Sequence, residues 1–259
     1  MQLARESYDE YWERGWTVVE GVFSAAEVEA VRALVMRLCE AELAVSATNF
    51  TADSGEAGEL APRKLNHPYM KHDDLRMFST DARLRSLAGQ LVGEPVRLFA
   101  DQVLMKPPRF GSAKPYHQDN AYFKCEPADE TITVWVALDD VDEHNGCLRY
   151  IDGSHRGAVL DHVPVEGEAH NLMPRADEID LSRESLACVE QGGVVFHHCK
   201  VLHTSHRNES DRWRRGYASH WCSAGVESEK DTLSSGYFNM DPAGYAAAVA
   251  ASDRRAAEL

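Results

Sequence analysis

Apolar positions recur at two different periods along this chain, and the switch between them falls near residue 95. Upstream, Val28, Val31, Leu34, Val35 and Leu38 form one stripe at helical spacing. The tetrad Ser24-Ala25-Ala26-Glu27 ahead of the stripe is a capping box, which predicts a helix starting there. A short strand is predicted at Trp16-Thr17-Val18-Val19, ending at Gly21, and residues 6–13 read as a short charged stretch without an element. A second helix is predicted over 81–91, stopping before Gly93 and Pro95. Residues 46–62 are rich in Ser, Thr, Gly, Ala and acidic groups with no sustained period, so a long loop of the lid type is expected.

Downstream the pattern becomes short runs separated by turn residues. Strands are predicted at 96–105, 116–123, 131–138, 147–151, 193–197 and 216–221, with turns at Pro107-Pro108-Arg109-Phe110-Gly111 and Asn145-Gly146. In 131–138 the alternation is explicit: Ile132, Val134, Val136 and Leu138 form an apolar face, leaving Thr133, Trp135 and Ala137 on the other. An aromatic on that mixed face suits a cavity wall. Helices first and strands second, with no alternating βαβ units, predict a mostly β fold with flanking helices, a jelly roll backed by the N-terminal segment. One domain is expected, with a helical part at about 1–95, a core at about 96–222 and a C-terminal segment at 223–259. The Ala-rich stretch 245–258 of that segment reads as helix.

Composition removes several function classes. Of 259 residues, 44% are hydrophobic and 27% charged, as in ordinary soluble folded chains. No apolar run approaches the ~18 residues of a membrane span, and the first residues carry no signal-type apolar stretch, so a cytoplasmic protein without a membrane partner is expected. Cys39, Cys125, Cys147, Cys188, Cys199 and Cys222 stand singly, which argues against a disulfide framework or a cysteine zinc cluster. Acidic residues exceed basic ones by 42 − 27 = 15, which argues against phosphate-tracking nucleic-acid binding.

Among twelve histidines, two His-x-Asp triplets have metal-ligand spacing: His72-Asp73-Asp74 and His117-Gln118-Asp119. On a strand, residues i and i+2 share a face, so the second triplet, inside a predicted strand, offers an imidazole nitrogen beside a carboxylate oxygen. The first lies ahead of a helix, where that spacing points the side chains apart. One more histidine would complete a two-His, one-carboxylate facial triad with open positions on Fe(II). His197, His198, His203 and His206 are all candidates by spacing.

A set of ordered islands narrows the choice: Gly15-Trp16-Thr17-Val18-Val19-Glu20-Gly21-Val22-Phe23-Ser24, Pro115-Tyr116-His117-Gln118-Asp119-Asn120, Val134-Trp135-Val136-Ala137-Leu138, Asn145-Gly146-Cys147-Leu148-Arg149-Tyr150-Ile151, Gly153-Ser154-His155 and Leu202-His203-Thr204-Ser205. Together, over about residues 15–221, they resemble the phytanoyl-CoA dioxygenase family of Fe(II)/2-oxoglutarate-dependent oxygenases. The resemblance implies a cupin-like double-stranded β-helix and Fe(II) held by His117, Asp119 and His203, with 2-oxoglutarate as co-substrate and dioxygen as oxidant. It implies that Arg214, eleven residues past His203, holds the far carboxylate of 2-oxoglutarate, with Arg212 and Arg215 as competitors. It further implies roles beside the co-substrate for Trp135, Ser205, Gln102 and Lys64. Asp152-Gly153-Ser154-His155 departs from the family's usual Pro-Gly-Ser-His. Because Asp119 stands where halogenating relatives carry a small residue, hydroxylation or a related oxidation, such as desaturation or ring closure, is expected over halogenation.

The resemblance implies a small-molecule substrate and a tailoring step in specialised-metabolite biosynthesis, with an amino sugar as the favoured example. Net charge −15 favours a neutral or cationic substrate over an acyl-CoA. Residues 46–62 and 223–240 match no family island and are expected to grip that substrate; a monomer or homodimer is expected. Two other classes remain as alternatives. A zinc-dependent hydrolase would use His197-His198-Cys199 and His203, and a non-catalytic metal-binding jelly roll would keep the barrel without the chemistry.

Overall fold

The computed structural model describes residues 1–46, 51–229 and 242–258. Ten strands form two antiparallel sheets. In chain order they are β1 (Trp16–Val19), β2 (Lys64–Asn66), β3 (Val96–Lys106), β4 (Lys114–His117), β5 (Thr131–Ala137), β6 (Leu148–Ile151), β7 (Glu184–Ala187), β8 (Val194–His198), β9 (His203–Ser205) and β10 (Arg214–Ser223). The larger sheet has the order β1-β8-β5-β10-β3-β2, the smaller β7-β6-β9-β4. This is the jelly-roll arrangement with helices on one face, mostly β as the strand periods imply.

The alternation in β5 divides the core. Ile132, Val134 and Val136 join Phe196 and Trp221 in an apolar layer between the larger sheet and the helices Ala25–Ser46 and Ala82–Val92. Trp135 and Ala137 turn the other way and pack with Trp16, Tyr150, Val195 and Ala218 between the two sheets. Full burial of one such aliphatic or aromatic side chain contributes about 1.5–3 kcal/mol. One layer therefore fixes the helices to the scaffold, and the other walls the space where the candidate residues lie.

Several expected elements change on folding. Residues 6–13 lie in a helix, Arg5–Arg14, closed by Gly15 at φ 90°, whose N–H donates to the Tyr11 carbonyl at 2.8 Å. A Cβ at Gly15 would also lie 2.5 Å from His155 Nδ1, so only glycine fits. Within 46–62, Ala52–Ser54 and Leu60–Pro62 pair as a hairpin rather than a structureless loop, and residues 47–50 lie outside the described set. Of 223–240, Glu227–Ser228 pairs with Cys125–Glu126, whereas 230–240 fall outside the described residues. The capping box forms: Glu27 Oε2 accepts from Ser24 N–H at 2.8 Å, and Ser24 Oγ accepts from Glu27 N–H at 3.3 Å. The C-terminal helix, Pro242–Glu258, docks against Asp73–Ser79 and Ala82–Val92.

The predicted strand 116–123 is the main correction. Strand β4 stops at His117, Asp119 has helical angles (φ −57°, ψ −37°), and Asn120–Phe123 is one helical turn. Asn120 causes the break by closing a loop with its amide: Oδ1 accepts from Cys125 N–H at 2.7 Å and Nδ2 donates to Cys125 O at 3.1 Å. The two members of the His-x-Asp pair thus reach the same space from different local conformations, not from one strand face.

Asp101, on the helix-facing side of β3, ties the helical layer to the sheet. Its Oδ2 accepts from Tyr69 N–H at 2.9 Å, Ser79 Oγ at 2.8 Å and Tyr217 Oη at 2.6 Å. Burial nevertheless outweighs these donors and pushes the carboxyl up to about 6. The folded state thus holds this proton more tightly than the unfolded chain, so this group's contribution to stability is fully present below about pH 4 and is lost as pH rises through about 6. The expected loss from this group is roughly 2–3 kcal/mol. The stability of the native chain relative to Asp101→Asn, read from urea unfolding, should fall by that amount between pH 4 and 7; a difference independent of pH would contradict it.

Candidate metal centre

Three side chains converge between the sheets. His117 Nε2 lies 3.6 Å from Asp119 Oδ1, and His203 Nε2 lies 3.7 Å from the same oxygen. One donor atom from each residue falls within 4.8 Å of the others, and all three residues are buried. Among the described residues this is the group of His, Cys, Asp and Glu side chains gathered closely enough to hold an ion. The register explains it: His203 on β9 is directly opposite His117 on β4, and Asp119 follows two residues later in the helical turn.

Hydrogen bonds orient each donor. His117 Nδ1 meets Pro115 O at 2.9 Å and His203 Nδ1 meets Val201 O at 3.1 Å. A carbonyl can only accept, so the proton sits on Nδ1 in both rings and Nε2 presents a lone pair. Burial drives both imidazoles toward the neutral form, His117 well below its ordinary pKa and His203 down to about 4. Burial alone would raise Asp119, but the surrounding imidazoles, His203 and His197 foremost, hold its carboxyl well below the usual range. Neutral rings with an ionised carboxylate are the protonation states that metal ligation requires, and two imidazoles plus one carboxylate suit Fe(II).

The second oxygen of Asp119 anchors a chain of side chains in which sequence reasoning singled out Gln102 as a co-substrate contact and His197 as a candidate ligand, but not Thr133 or His220. Asp119 Oδ2 accepts from Thr133 Oγ1 at 2.6 Å and from His197 Nε2 at 3.1 Å. Tyr150 Oη then lies 2.8 Å from His197 Nδ1, and His220 Nδ1 lies 2.8 Å from Thr133 Oγ1. Gln102 Nε2 completes the line at 3.3 Å from His220 Nε2. A carboxylate only accepts, so every proton in this line points toward Asp119 and locks its rotamer. The alternation that sets Thr133 beside Trp135 was the available signal for its place; His197 and His220 carried none beyond their identity.

A cavity of about 350 Å³ opens from the triad, and Gln102, Trp135, Ser205, Arg214 and Lys64 all line it. Arg214 is 2% exposed, donates from Nε to Gly146 O at 2.9 Å, and stands 5.1 Å over the Trp135 ring. Among the described residues no carboxylate lies within ion-pair distance of it, and burial pulls the guanidinium down to about 10. Arg215 turns to the opposite face and pairs with Asp139 at 2.6 Å, while exposed Arg212 pairs with Asp142. Lys106, opposite Arg214 in the β3/β10 register, lines the same end of the cavity. Burial first, then the Arg214 charge, holds its ammonium well below the ordinary value. Its position four residues past Gln102 on one strand face was legible and not used.

Glycines make room for these groups. A Cβ at Gly216 would fall 1.8 Å from Trp135 Cζ2, so the indole lies flat over that backbone. Trp135 Nε1 is itself buried without an acceptor among the described residues. Gly146 has φ 89°, and a Cβ there would meet His206 O at 2.7 Å. A buried guanidinium without a counter-anion and an indole N–H without an acceptor, facing one cavity, fit a small dicarboxylate ligand.

The remaining candidates separate. His198 points away from the cavity, lies 3.2 Å from Asp129 and packs on Trp12, and Cys199 Sγ donates to Ala128 O. His197, His198 and Cys199 therefore do not converge on a tetrahedral site. His72 caps the helix Asp73–Ser79, its Nδ1 accepting from Asp74 N–H at 3.2 Å. Five of the six cysteines are buried and all are unpaired. No described helix is long and apolar enough to cross a membrane.

Comparison with known proteins places these features in context. The family model described as phytanoyl-CoA dioxygenase matches residues 11–216. A probable alpha-ketoglutarate-dependent hypophosphite dioxygenase of Stutzerimonas stutzeri is 30% identical over 226 residues, covering 83% of this chain and 78% of the relative. Among solved structures, the non-heme alpha ketoglutarate dependent carbocyclase SnoK from nogalamycin biosynthesis superposes with a TM-score of 0.70 at 26% identity, covering 89% of each chain. The epimerase SnoN, solved with Fe3+, alpha ketoglutarate and nogalamycin RO, gives a TM-score of 0.70 at 22% identity over 92% of this chain and 90% of its own.

The line of bonds to Asp119 generates a testable expectation. Thr133→Val keeps the shape and removes the hydroxyl that orients the carboxylate, so metal affinity should fall by about 10- to 100-fold. Mn(II) titration of both proteins, followed by the paramagnetic resonance of unbound Mn(II), measures this; unchanged affinity would show that Thr133 does not position Asp119.

Proposed function

The chain belongs to the phytanoyl-CoA dioxygenase family of iron- and 2-oxoglutarate-dependent dioxygenases, and on that premise we propose that it oxidises an unactivated C–H bond of a small metabolite. His117, Asp119 and His203 hold Fe(II), and the whole chain acts as one domain around that centre. The observation that carries this reading is their convergence in a cavity whose other end holds an anion-seeking Arg214. A ferrous ion supplies 2-oxoglutarate chelation and dioxygen activation when bound. The chain's residues then have defined tasks. Arg214 grips the far carboxylate of 2-oxoglutarate through its planar fork, with the Lys106 ammonium beside it. Trp135 and Ser205 border the same ligand. Gln102 works through His220 and Thr133 on the Asp119 rotamer, and Lys64 lines the same cavity. Burial of all three ligands keeps bulk water from the centre.

A hydroxylation or related oxidation in specialised metabolism is the form of reaction proposed. The carbocyclase and epimerase among the similar structures are consistent with a tailoring role. The zinc hydrolase reading loses its support with the divergence of His198 and Cys199 from the triad. Succinate release from 2-oxoglutarate tests the proposal: it should require Fe(II) and vanish in Asp119→Ala. Arg214→Ala should raise the apparent KM for 2-oxoglutarate by at least about ten-fold, the loss expected for a charge-assisted hydrogen-bond pair, with a smaller effect on the prime substrate. Zinc-dependent turnover indifferent to 2-oxoglutarate would overturn it.

A further inference from the structure

The cysteines differ in access: Cys188 is exposed and the other five are buried. The exposed one lies across from a buried one. Edge strand β7 runs antiparallel to β6 with Ala187 opposite Leu148, so the next position along the pairing sets Cys188 opposite Cys147. Val189, one residue on, bridges to Val141, with Val141 N–H donating to Val189 O at 2.8 Å and Val189 N–H to Val141 O at 3.0 Å. Cys188 is thus held by paired residues on both sides. Cys147 is held from its own side, its N–H donating to Asp142 O at 2.9 Å. Facing residues of an antiparallel pair stand about 4.5–5.5 Å apart between Cα atoms, inside the range of roughly 4.4–6.8 Å that a disulfide spans.

The side chains meet as the backbones do. A side-chain hydrogen bond links the two thiols, and burial first, then the charge of a Cys188 thiolate, pushes Cys147 up to about 12. Cys147, 0% exposed, therefore rests as a neutral thiol, and Cys188 is the sulfur that a dissolved oxidant reaches. The pair also borders the cavity. Gly146, the residue before Cys147, presents the carbonyl that accepts from Arg214 Nε at 2.9 Å. That turn has no slack, because a Cβ at Gly146 would lie 2.7 Å from His206 O and 2.9 Å from Lys106 Cδ. A displacement of Cys147 is passed on to the acceptor of Arg214.

We infer that Cys147 and Cys188 are a reversible oxidation site, a thiol pair that a peroxide converts to a disulfide, and that this bond loosens the grip of Arg214 on its ligand. In the first step the Cys188 sulfur attacks hydrogen peroxide: an S–O bond forms, the O–O bond breaks, and the departing hydroxide leaves as water with the thiol proton. The product is an uncharged sulfenic acid, so the charge that helped to hold the proton on Cys147 is gone. In the second step the Cys147 sulfur attacks the Cys188 sulfur: the S–S bond forms, the S–O bond breaks, and the hydroxide leaves as water with the Cys147 proton. Two thiols are oxidised and one peroxide is reduced, and a dithiol reductant reverses the bond. The site is independent of the oxygenase reading; its effect on 2-oxoglutarate rests on that reading.

Peptide mapping on the full chain, loaded with Mn(II), tests it. The protein is treated with a small excess of hydrogen peroxide, the oxidant is removed, the remaining thiols are alkylated, and the digest is read by mass spectrometry without reduction. A peptide linked through Cys147 and Cys188 should form, vanish on dithiothreitol, and be absent from Cys188→Ser. In Cys147→Ser the Cys188 sulfenic acid should persist and be captured by dimedone. Calorimetry should show 2-oxoglutarate binding about three- to ten-fold weaker after oxidation, as expected when one hydrogen bond to a charged group is weakened. Dithiothreitol should restore it, and Cys188→Ser should bind like the untreated chain before and after peroxide. No linked peptide, or a disulfide joining other cysteines, would overturn the site, and a linked pair with 2-oxoglutarate affinity unchanged would overturn its coupling to Arg214. Reduced protein that forms the linked peptide but never binds 2-oxoglutarate would overturn the oxygenase reading and leave the oxidation site standing.

Discussion

A charged and polar cluster buried between two sheets must be satisfied from within, and the architecture around the candidate centre answers to that constraint. Asp119 is a buried carboxylate, a state that costs several kcal/mol unless opposing charges and donors surround it. Thr133 and His197 meet part of that demand by donating to Oδ2, while the lone pairs of His117 and His203 beside Oδ1 leave the rest to a cation, so the set is drawn from four different strands. The strands cannot slip relative to one another without breaking the set, because a shift of one residue turns every side chain to the other face. The antiparallel register His203 opposite His117 is therefore both a folding constraint and the geometry of the centre.

Arg214 poses the converse problem. It is buried like Asp119, but among the described residues it meets a carbonyl and an aromatic face in place of a counter-anion. The two groups stand at different places in one cavity, one meeting cation-binding nitrogens and the other lacking an acid. A metal and a dicarboxylate co-substrate would complete both at once, as the family's cofactors do. The neighbouring Arg215 shows the contrast: one residue on, the opposite face supplies Asp139, and that guanidinium is satisfied internally.

Much of this was legible in the sequence. The two periods gave the helical layer and the strand-rich core, and the alternation in 131–138 placed Trp135 on the cavity side and Val134 and Val136 on the helix side. The ordered family islands named His203 where spacing left four histidines open. What sequence could not supply were contacts made by folding. The strand expected through Asp119 ends at His117 because Asn120 closes a loop onto Cys125, an interaction without periodicity. His220 and Tyr150 became neighbours of the centre only through strand pairing and ring packing.

The central claim is that His117, Asp119 and His203 bind one metal ion facing a 2-oxoglutarate held by Arg214. The most direct measurement is a crystal structure of the full chain grown anaerobically with Mn(II) and 2-oxoglutarate. The account predicts anomalous density for a single ion bonded to His117 Nε2, an Asp119 carboxylate oxygen and His203 Nε2, with the keto acid end of 2-oxoglutarate on the metal and the far carboxylate on Arg214. An ion held by other residues, or 2-oxoglutarate bound away from Arg214, would contradict it.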